Sequence, residues 1–382
     1  MKIKYLFTIL FIITILCFGF TEIKSEASSS LPRKTGFFNA GEMTMEKTYP
    51  LDSMTTLSNG DVLITKGEEA ELYNAAKRKF KKLPLHEAMQ EVSSIALNDG
   101  RVIFIGRSVK PVGIESMHRY FFEEFNPRTG KFKVLLKLDN FYFPTKNALK
   151  LMNGNIFLQG NVDAYVYNVE KNTLSKNIQF YDDKFRYFNE YDTAIAMNDL
   201  GKVFIFGSGY CKKTDPNRIR TYVFMFNPDT NKITLHGNLQ IQRLGNIKAV
   251  TLNHNHIAVF GGKNDSGADA QSLKTYELYN IQSGKSKIAG EFPLWINNFL
   301  KMKLTYDGKI ITNIPYGKYK NEYKPFVFDL NQQIEESSRG SYGGGIDIHL
   351  PSMTRLSDGC YLYAGGYDEK GLDSKKAYKY CP

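Results

Sequence analysis
The residues of this 382-residue chain that could do chemistry are few and widely spaced. Of its six histidines, His86, His118 and His236 fall in three different segments between predicted strands, His254 and His256 share one predicted hairpin turn, and His349 precedes a strand. His254 and His256 at i and i+2 project to one face if extended, a spacing that can hold a metal ion, but a solvated turn is the simpler account. Carboxylates come in adjacent pairs, Glu68-Glu69, Glu123-Glu124 and Glu335-Glu336. Neighbours on a strand point to opposite faces, the wrong geometry for a cooperating acid and base. Gly343-Gly344-Gly345 lacks the Lys-Ser/Thr of a phosphate-binding loop. Cys211 stands beside Lys212 and Lys213, which would favour a thiolate, with no histidine near it to make a nucleophile. There is no Gly-x-Ser-x-Gly elbow, no His-Glu-x-x-His helix and no paired Cys-x-x-Cys. No catalytic residue, metal ligand or cofactor is therefore assigned.

Strands must position whatever site the chain does have. Aromatic residues make up 14% of the chain, as 24 Tyr, 27 Phe and 1 Trp, and such side chains favour half-buried pleated surfaces. Hydrophobic residues at 42% and charged residues at 23% exclude collagen-like and low-complexity chains. One template recurs. Its first copy runs from Thr55 to Asn59-Gly60, through the apolar strand Asp61-Val62-Leu63-Ile64 and a turn at Gly67, to Ala70-Glu71-Leu72-Tyr73-Asn74 and the short strand Arg78-Lys79-Phe80. The first turn recurs at Gly100, Gly154, Gly201, Gly308 and Gly359, with Asn255 filling the fifth place because Asn tolerates a positive φ. From Gly60 to Gly359 is 299 residues in six steps, a period of about 50. Each third strand ends in an aromatic and a turn former, as at Tyr73-Asn74, Phe125-Asn126, Tyr167-Asn168, Phe226-Asn227, Tyr279-Asn280, Phe328-Asp329 and Tyr380-Cys381. Seven copies of a four-stranded unit with this period read as an all-β, seven-bladed propeller.

Over residues 33–382 the chain resembles the kelch-repeat propellers of the galactose-oxidase central-domain type, in an exported bacterial form. The chain stops after a third strand, and Arg33 to Met43 resembles the missing fourth. The N-terminal strand is therefore expected to pair with the last one and close the ring, removing two sheet edges. Cys360 begins the second strand of the last copy and Cys381 ends the third, where an antiparallel pair brings start and end together, so a disulfide is expected there. The resemblance includes copper-radical oxidases, whose site looks like two His, two Tyr and a Cys joined to one of the Tyr. No Cys here stands where such a crosslink can be argued, and the resemblance is not taken to imply copper.

A binding surface remains. The second-to-third connections are long in five copies and, with the fourth-to-first connections, emerge on one face. They carry Arg107, Lys212, Arg218, Lys263, Tyr316 and Tyr367, and the fourth-to-first connections add Arg186, Tyr187 and Trp295. Long loops on a rigid scaffold are commonly functional, and this basic and aromatic mixture suits acidic groups or sugar rings. The expected function is accordingly an exported, non-catalytic propeller that recognises a protein or glycan, possible anions included. The alternative is a carbohydrate-active or sugar-modifying enzyme on the same scaffold.

The first 27 residues read as an address. Lys2 and Lys4 precede an apolar run from Leu6 to Phe20, the length of a signal-peptide core and short for a membrane span, and Ser25-Glu26-Ala27 offers small residues for cleavage before Ser28. Residues 28–32 read as a linker. Cleavage lowers the formal charge from +11 to +10. An exported, basic chain meets anionic partners faster but no nucleic acid, and it contacts a membrane only if the signal segment is retained. Localisation is expected to be secreted, periplasmic or at the cell surface.

Overall fold
The computed structural model describes residues 36–46, 48, 51–109, 119–139, 147–160, 163–180, 185–188, 193–211, 215–264, 271–292, 303–304, 309–316, 322–330, 334–335, 348, 351–368 and 370–381. Among these residues there is no helix, and the regular structure is entirely strand. Antiparallel meanders follow one another along the chain. The first sets the pattern, with Ser53–Thr56, Val62–Lys66, Glu69–Asn74 and Lys79–Lys82 each hydrogen-bonded to the next. The fourth and fifth meanders merge into one nine-stranded sheet, but a single parallel pairing, Asn238 with Lys285, is all that joins them. Seven meanders thus lie between Ser53 and Cys381 among the described residues.

Local chemistry explains the repeat. Second strands such as Val62–Lys66, Ile156–Gln159 and Tyr361–Ala364 are apolar at nearly every position and buried on both faces. The turn before them is held by Gly60, Gly100, Gly154, Gly201 and Gly359, with φ of 86°, 89°, 82°, 75° and 81°, a region costly for other residues. Asn255 does not take the left-handed backbone expected of it. That turn is shorter instead, so Asn253 pairs with His256, and Asn253 Oδ1 accepts the N–H groups of Asn255 and His256 at 2.9 and 3.0 Å.

Each meander is apolar on both faces, and seven cores lie between neighbours. One joins the first and second meanders through Leu63, Val102 and Phe104, and another joins the third and fourth through Phe157, Ile205 and Phe224. The seventh joins the last meander back to the first, packing Leu362, Ala364 and Ala377 against Val62, Ile64 and Tyr73. The inner strands agree with this cyclic order. Thr55 Oγ1 donates to Ser94 Oγ at 2.6 Å toward the second meander, while Thr56 Oγ1 lies 3.3 Å from Thr354 Oγ1 of the seventh.

The strand Gly36–Glu42 pairs antiparallel with Lys376–Cys381, from Gly36 opposite Cys381 to Glu42 opposite Lys376. It completes a four-stranded sheet with the last meander. Cys360 and Cys381 form a disulfide with S–S 2.05 Å across two strands of that sheet.

Two connections read as long loops are shorter than the sequence suggested. The ladder of the fourth meander continues beyond Gly209 opposite Arg220 to Cys211 opposite Asp215. That of the sixth continues to Tyr316 opposite Glu322. The fourth-to-first connection holding Arg186 and Tyr187 also becomes a strand, Phe185–Phe188, paired with Gly209 to Cys211. The cause is that aromatic, pleat-favouring residues continue beyond the turn signals, and backbone groups there find partners in an extended ladder.

Removing residues 36–42 leaves the last meander with an open edge and the closing core without its cover. The truncated chain is expected to melt well below the full chain in a thermal scan. Replacing both Cys360 and Cys381 by Ser is expected to cost about 3 kcal/mol in denaturant unfolding, from the freed loop entropy.

Candidate functional site
Chemistry-bearing side chains collect at the loop ends of the sheets, and most are buried. Two residues before the aromatic that ends the third strand, three meanders carry a buried glutamate: Glu71, Glu123 and Glu277. Each captures the chain arriving at its own sheet. Glu71 accepts the Thr44 N–H at 2.6 Å and also the Thr44 hydroxyl. Glu123 accepts the Glu87 N–H at 3.3 Å and meets His86 Nδ1 at 3.1 Å. Glu277 accepts the Gln240 and Ile241 N–H groups at 2.8 and 3.3 Å, the Ser286 hydroxyl at 2.6 Å and Arg243 Nε at 3.1 Å.

Arg243 is completely buried and ties the fourth meander to the fifth. Its Nη1 donates to the Gly261 carbonyl at 2.7 Å, and its backbone N–H donates to Thr221 Oγ1 at 2.7 Å. Burial lowers the guanidinium's affinity for its proton, and the Glu277 carboxylate opposes that effect. Each of these carboxylates is engaged by donors of the arriving chain, although Glu71 Oε2 is buried without a partner among the described residues, and their role is to hold the junctions.

Three of the four described histidines are similarly committed. His86 lies between Phe104 and Phe132, with ring centroids 6.0 and 5.0 Å away. His236 Nδ1 lies 2.5 Å from the Tyr279 hydroxyl, and burial pushes its pKa below the ordinary value. His256 Nε2 lies 3.4 Å from Asn280 Nδ2, and His254 is exposed in its turn. His118 and His349 lie outside the described residues. Among the described residues no three His, Cys, Asp or Glu side chains converge on a point where a metal ion could sit.

One carboxyl has a different character. Asp163 opens the third strand of the third meander at the loop end, after a second-to-third connection of only a few residues. It is half-buried and accepts the Tyr165 hydroxyl at 2.8 Å. Burial raises its pKa above the usual carboxylate value, partly offset by the bond from Tyr165. A carboxyl that holds its proton to higher pH can deliver it to a departing oxygen.

The residues proposed from sequence as ligand contacts are distributed around the loop end. Arg186 and Tyr187 lie in the strand Phe185–Phe188 and Arg218 in Asp215–Asn227, both paired with Val203–Cys211, where Tyr187 is opposite Tyr210 and Tyr210 opposite Ile219. Arg107, half-buried, ends the second strand of the second meander opposite Gln90 and Tyr120. Lys263 is exposed and bridges to Ser272, Tyr316 pairs with Glu322, and Tyr367, half-buried, bridges to Asp373. Lys212 and Trp295 lie outside the described residues. Sequence reading missed the buried glutamates and Asp163. The signal for the glutamates was the repeated register two positions before the third-strand aromatic, and for Asp163 the short connection.

No family profile matches the sequence, and no curated protein is similar to it. Among solved structures, the fold is similar to a fungal alcohol oxidase described as showing catalytic diversity among the AA5 family, solved in complex with copper. The TM-score is 0.60 at 13% identity, over 91% of this chain and 77% of that one. The likeness shows an all-β, galactose-oxidase-like fold. It also corrects the functional expectation, because a fold neighbour that is an enzyme favours the carbohydrate-active alternative over a non-catalytic protein or glycan binder, and the binder reading is withdrawn.

Replacing Glu277 by Gln strands the Arg243 charge in the interior and is expected to cost about 3–5 kcal/mol in denaturant unfolding. Replacing both Arg243 and Glu277 by Met is expected to recover much of that loss. Asp163 gives a pH signature. Its folded pKa is raised, so its contribution favours folding below the ordinary carboxylate pKa and is lost as pH rises through the raised value. Asp163→Asn is therefore expected to melt higher than the parent chain at pH 7, with the difference vanishing below about pH 4.

Proposed function
We propose that this chain is an enzyme acting on carbohydrates or related polyhydroxy alcohols, built on a seven-bladed propeller of the kelch type. The observation that carries the reading is the fold likeness to the AA5 alcohol oxidase across 91% of the chain. The cyclic succession of seven cores and the pairing of Gly36–Glu42 with the last strand support the propeller. The substrate is proposed to lie at the loop ends, where Arg107, Lys263 and Tyr367 offer cationic and aromatic contacts to hydroxyl and acidic groups.

The neighbour's copper is a poor fit to this chain. Of the four described histidines, His86, His236 and His256 each have their own partner and His254 is exposed in its turn, and no three metal-binding side chains converge among the described residues. No step through copper is derived. Asp163 is proposed as the residue that gives a proton to the departing glycosidic oxygen of a sugar substrate while water bonds to the anomeric carbon and releases its proton to solvent, with the Tyr165 hydroxyl holding the carboxyl in place. Its position beside one of the two short second-to-third connections, those of the first and third meanders, gives a substrate a direct approach.

The chain is further proposed to act outside the cytoplasm after cleavage following Ala27, which N-terminal sequencing of the secreted protein would test. Turnover is tested by incubating the secreted chain with a panel of oligosaccharides, with and without added copper, while following reducing ends and hydrogen peroxide. Cleavage or modification of a sugar without copper is expected, and Asp163→Asn is expected to lower kcat by about 100-fold or more with KM little changed. Peroxide release that requires copper would overturn the assignment of Asp163. Inertness toward the whole panel would overturn the enzymatic reading.

A further inference from the structure
The face opposite the loop ends carries a cavity of about 300 Å³ between the third and fourth meanders, a size at the lower end for small-ligand pockets. It opens because the outer strand of the third meander is broken. Thr173–Leu174 and Ile178–Gln179 pair with the same inner strand but leave a gap between them. Three turns line the cavity, contributing Asn153 and Asn155, then Asn168, Lys171 and Thr173, and then Asn231 of the fourth meander.

Among the described residues the wall carries one cation, four asparagine amides and no carboxylate. Asn153 Oδ1 accepts the Asn155 N–H at 3.1 Å, and Asn168 Oδ1 accepts the Lys171 N–H at 2.8 Å. Each amide therefore spends its acceptor in its own turn and keeps its Nδ2 donor, held in place without loss of side-chain freedom on binding. Among the described residues the Lys171 ammonium has no carboxylate partner, and the side chains of Asn155, Thr173 and Asn231 have no hydrogen bond. No carboxylate lines the cavity. Leu151, Val166 and Leu174 complete the lining as an apolar surface suited to the C–H face of a ring.

We propose that this cavity is a binding site for a sugar carboxylate of the hexuronate type, with the carboxylate toward Lys171 and the hydroxyls on the asparagine amides. The site lies on the turn face, away from Asp163, and does not depend on the catalytic reading. An ammonium and fixed N–H donors recognise a carboxylate more strongly than a neutral hydroxyl, because hydrogen bonds to a charged group are the stronger ones.

The test is calorimetric titration of the full secreted chain with glucuronate and with glucose, at physiological salt and without turnover. Glucuronate is expected to bind at least about tenfold more tightly than glucose, and Lys171→Gln to weaken glucuronate about tenfold. Thr173→Val should weaken both sugars. Lys77→Gln alters an exposed lysine in the corresponding turn of the first meander, outside the cavity, and should change nothing. The proposal is overturned if glucuronate fails to bind, if glucose binds equally well, or if Lys171→Gln and Lys77→Gln weaken binding alike. Melting curves of the exposed-site variants verify folding, and because the readout is binding alone, its outcome is separate from any failure to find turnover.

Discussion
A sheet that is apolar on both faces cannot stand at the end of a stack. Here the second strands are buried at most of their described positions, on both faces, so each meander needs a neighbour on either side. A linear array would leave two apolar faces in water, at a cost of roughly 25 cal/mol for each Å² exposed. Closing the array on itself removes both. The core of Ile64 and Tyr73 against Leu362 and Ala377 is where that closure happens, and the pairing of Gly36–Glu42 with the last strand is what locks it. The disulfide between Cys360 and Cys381 ties the last strand to the strand before it in the same sheet, so the strand that receives Gly36–Glu42 is itself fixed at its end.

The buried glutamates answer a second requirement of this closure. The described connections at Thr44, Glu87 and Gln240–Ile241 leave the sheet ladder and bring their N–H groups into a closely packed junction, where an unmade hydrogen bond costs about 1–3 kcal/mol. Glu71, Glu123 and Glu277 accept those N–H groups from below. In the fifth meander this arrangement is extended by Arg243, whose guanidinium reaches Gly261 while its backbone is held by Thr221 of the preceding meander. Removing two charges from water offsets much of what their attraction contributes, so the value of the pair lies mainly in fixing the geometry of the junction. The loop ends are thereby held rigid, which is a condition for any site built on them to be precise.

How much of this was legible in the sequence follows from what each feature depends on. The turn glycines and third-strand aromatics are local requirements of a repeated backbone, so the period of about 50 and the all-β class could be read directly. The buried glutamates were passed over because an adjacent pair such as Glu123-Glu124 looks like a solvated charge run until the register shows which member points inward. Once the strand is in place, Glu123 faces the junction and Glu124 meets Arg101 on the outside. The long connections were misjudged for the opposite reason. Whether Tyr210 and Cys211 continue a ladder depends on the partner segment Phe185–Phe188, which is distant in sequence and carries no turn or cap signal of its own. The functional reading failed at the same level, since an absence of motifs in one dimension was taken as an absence of catalysis.

A shared fold leaves the chemistry to be decided by individual side chains. At 13% identity, the scaffold common to this chain and the AA5 oxidase fixes where strands end and loops begin, and little else. The described histidines illustrate the difference. His86 lies between phenylalanine rings and His236 is bonded to the Tyr279 hydroxyl with its pKa lowered by burial, so each serves its own junction. Asp163 stands apart because its surroundings leave a titratable group half-exposed at the loop end, with burial holding the proton and the Tyr165 hydroxyl fixing the carboxyl. Glu71, Glu123 and Glu277 are each engaged by donors of the arriving chain, whereas Asp163 is half-exposed beside a hydroxyl, and that contrast is why the proposed proton transfer is attached to this residue.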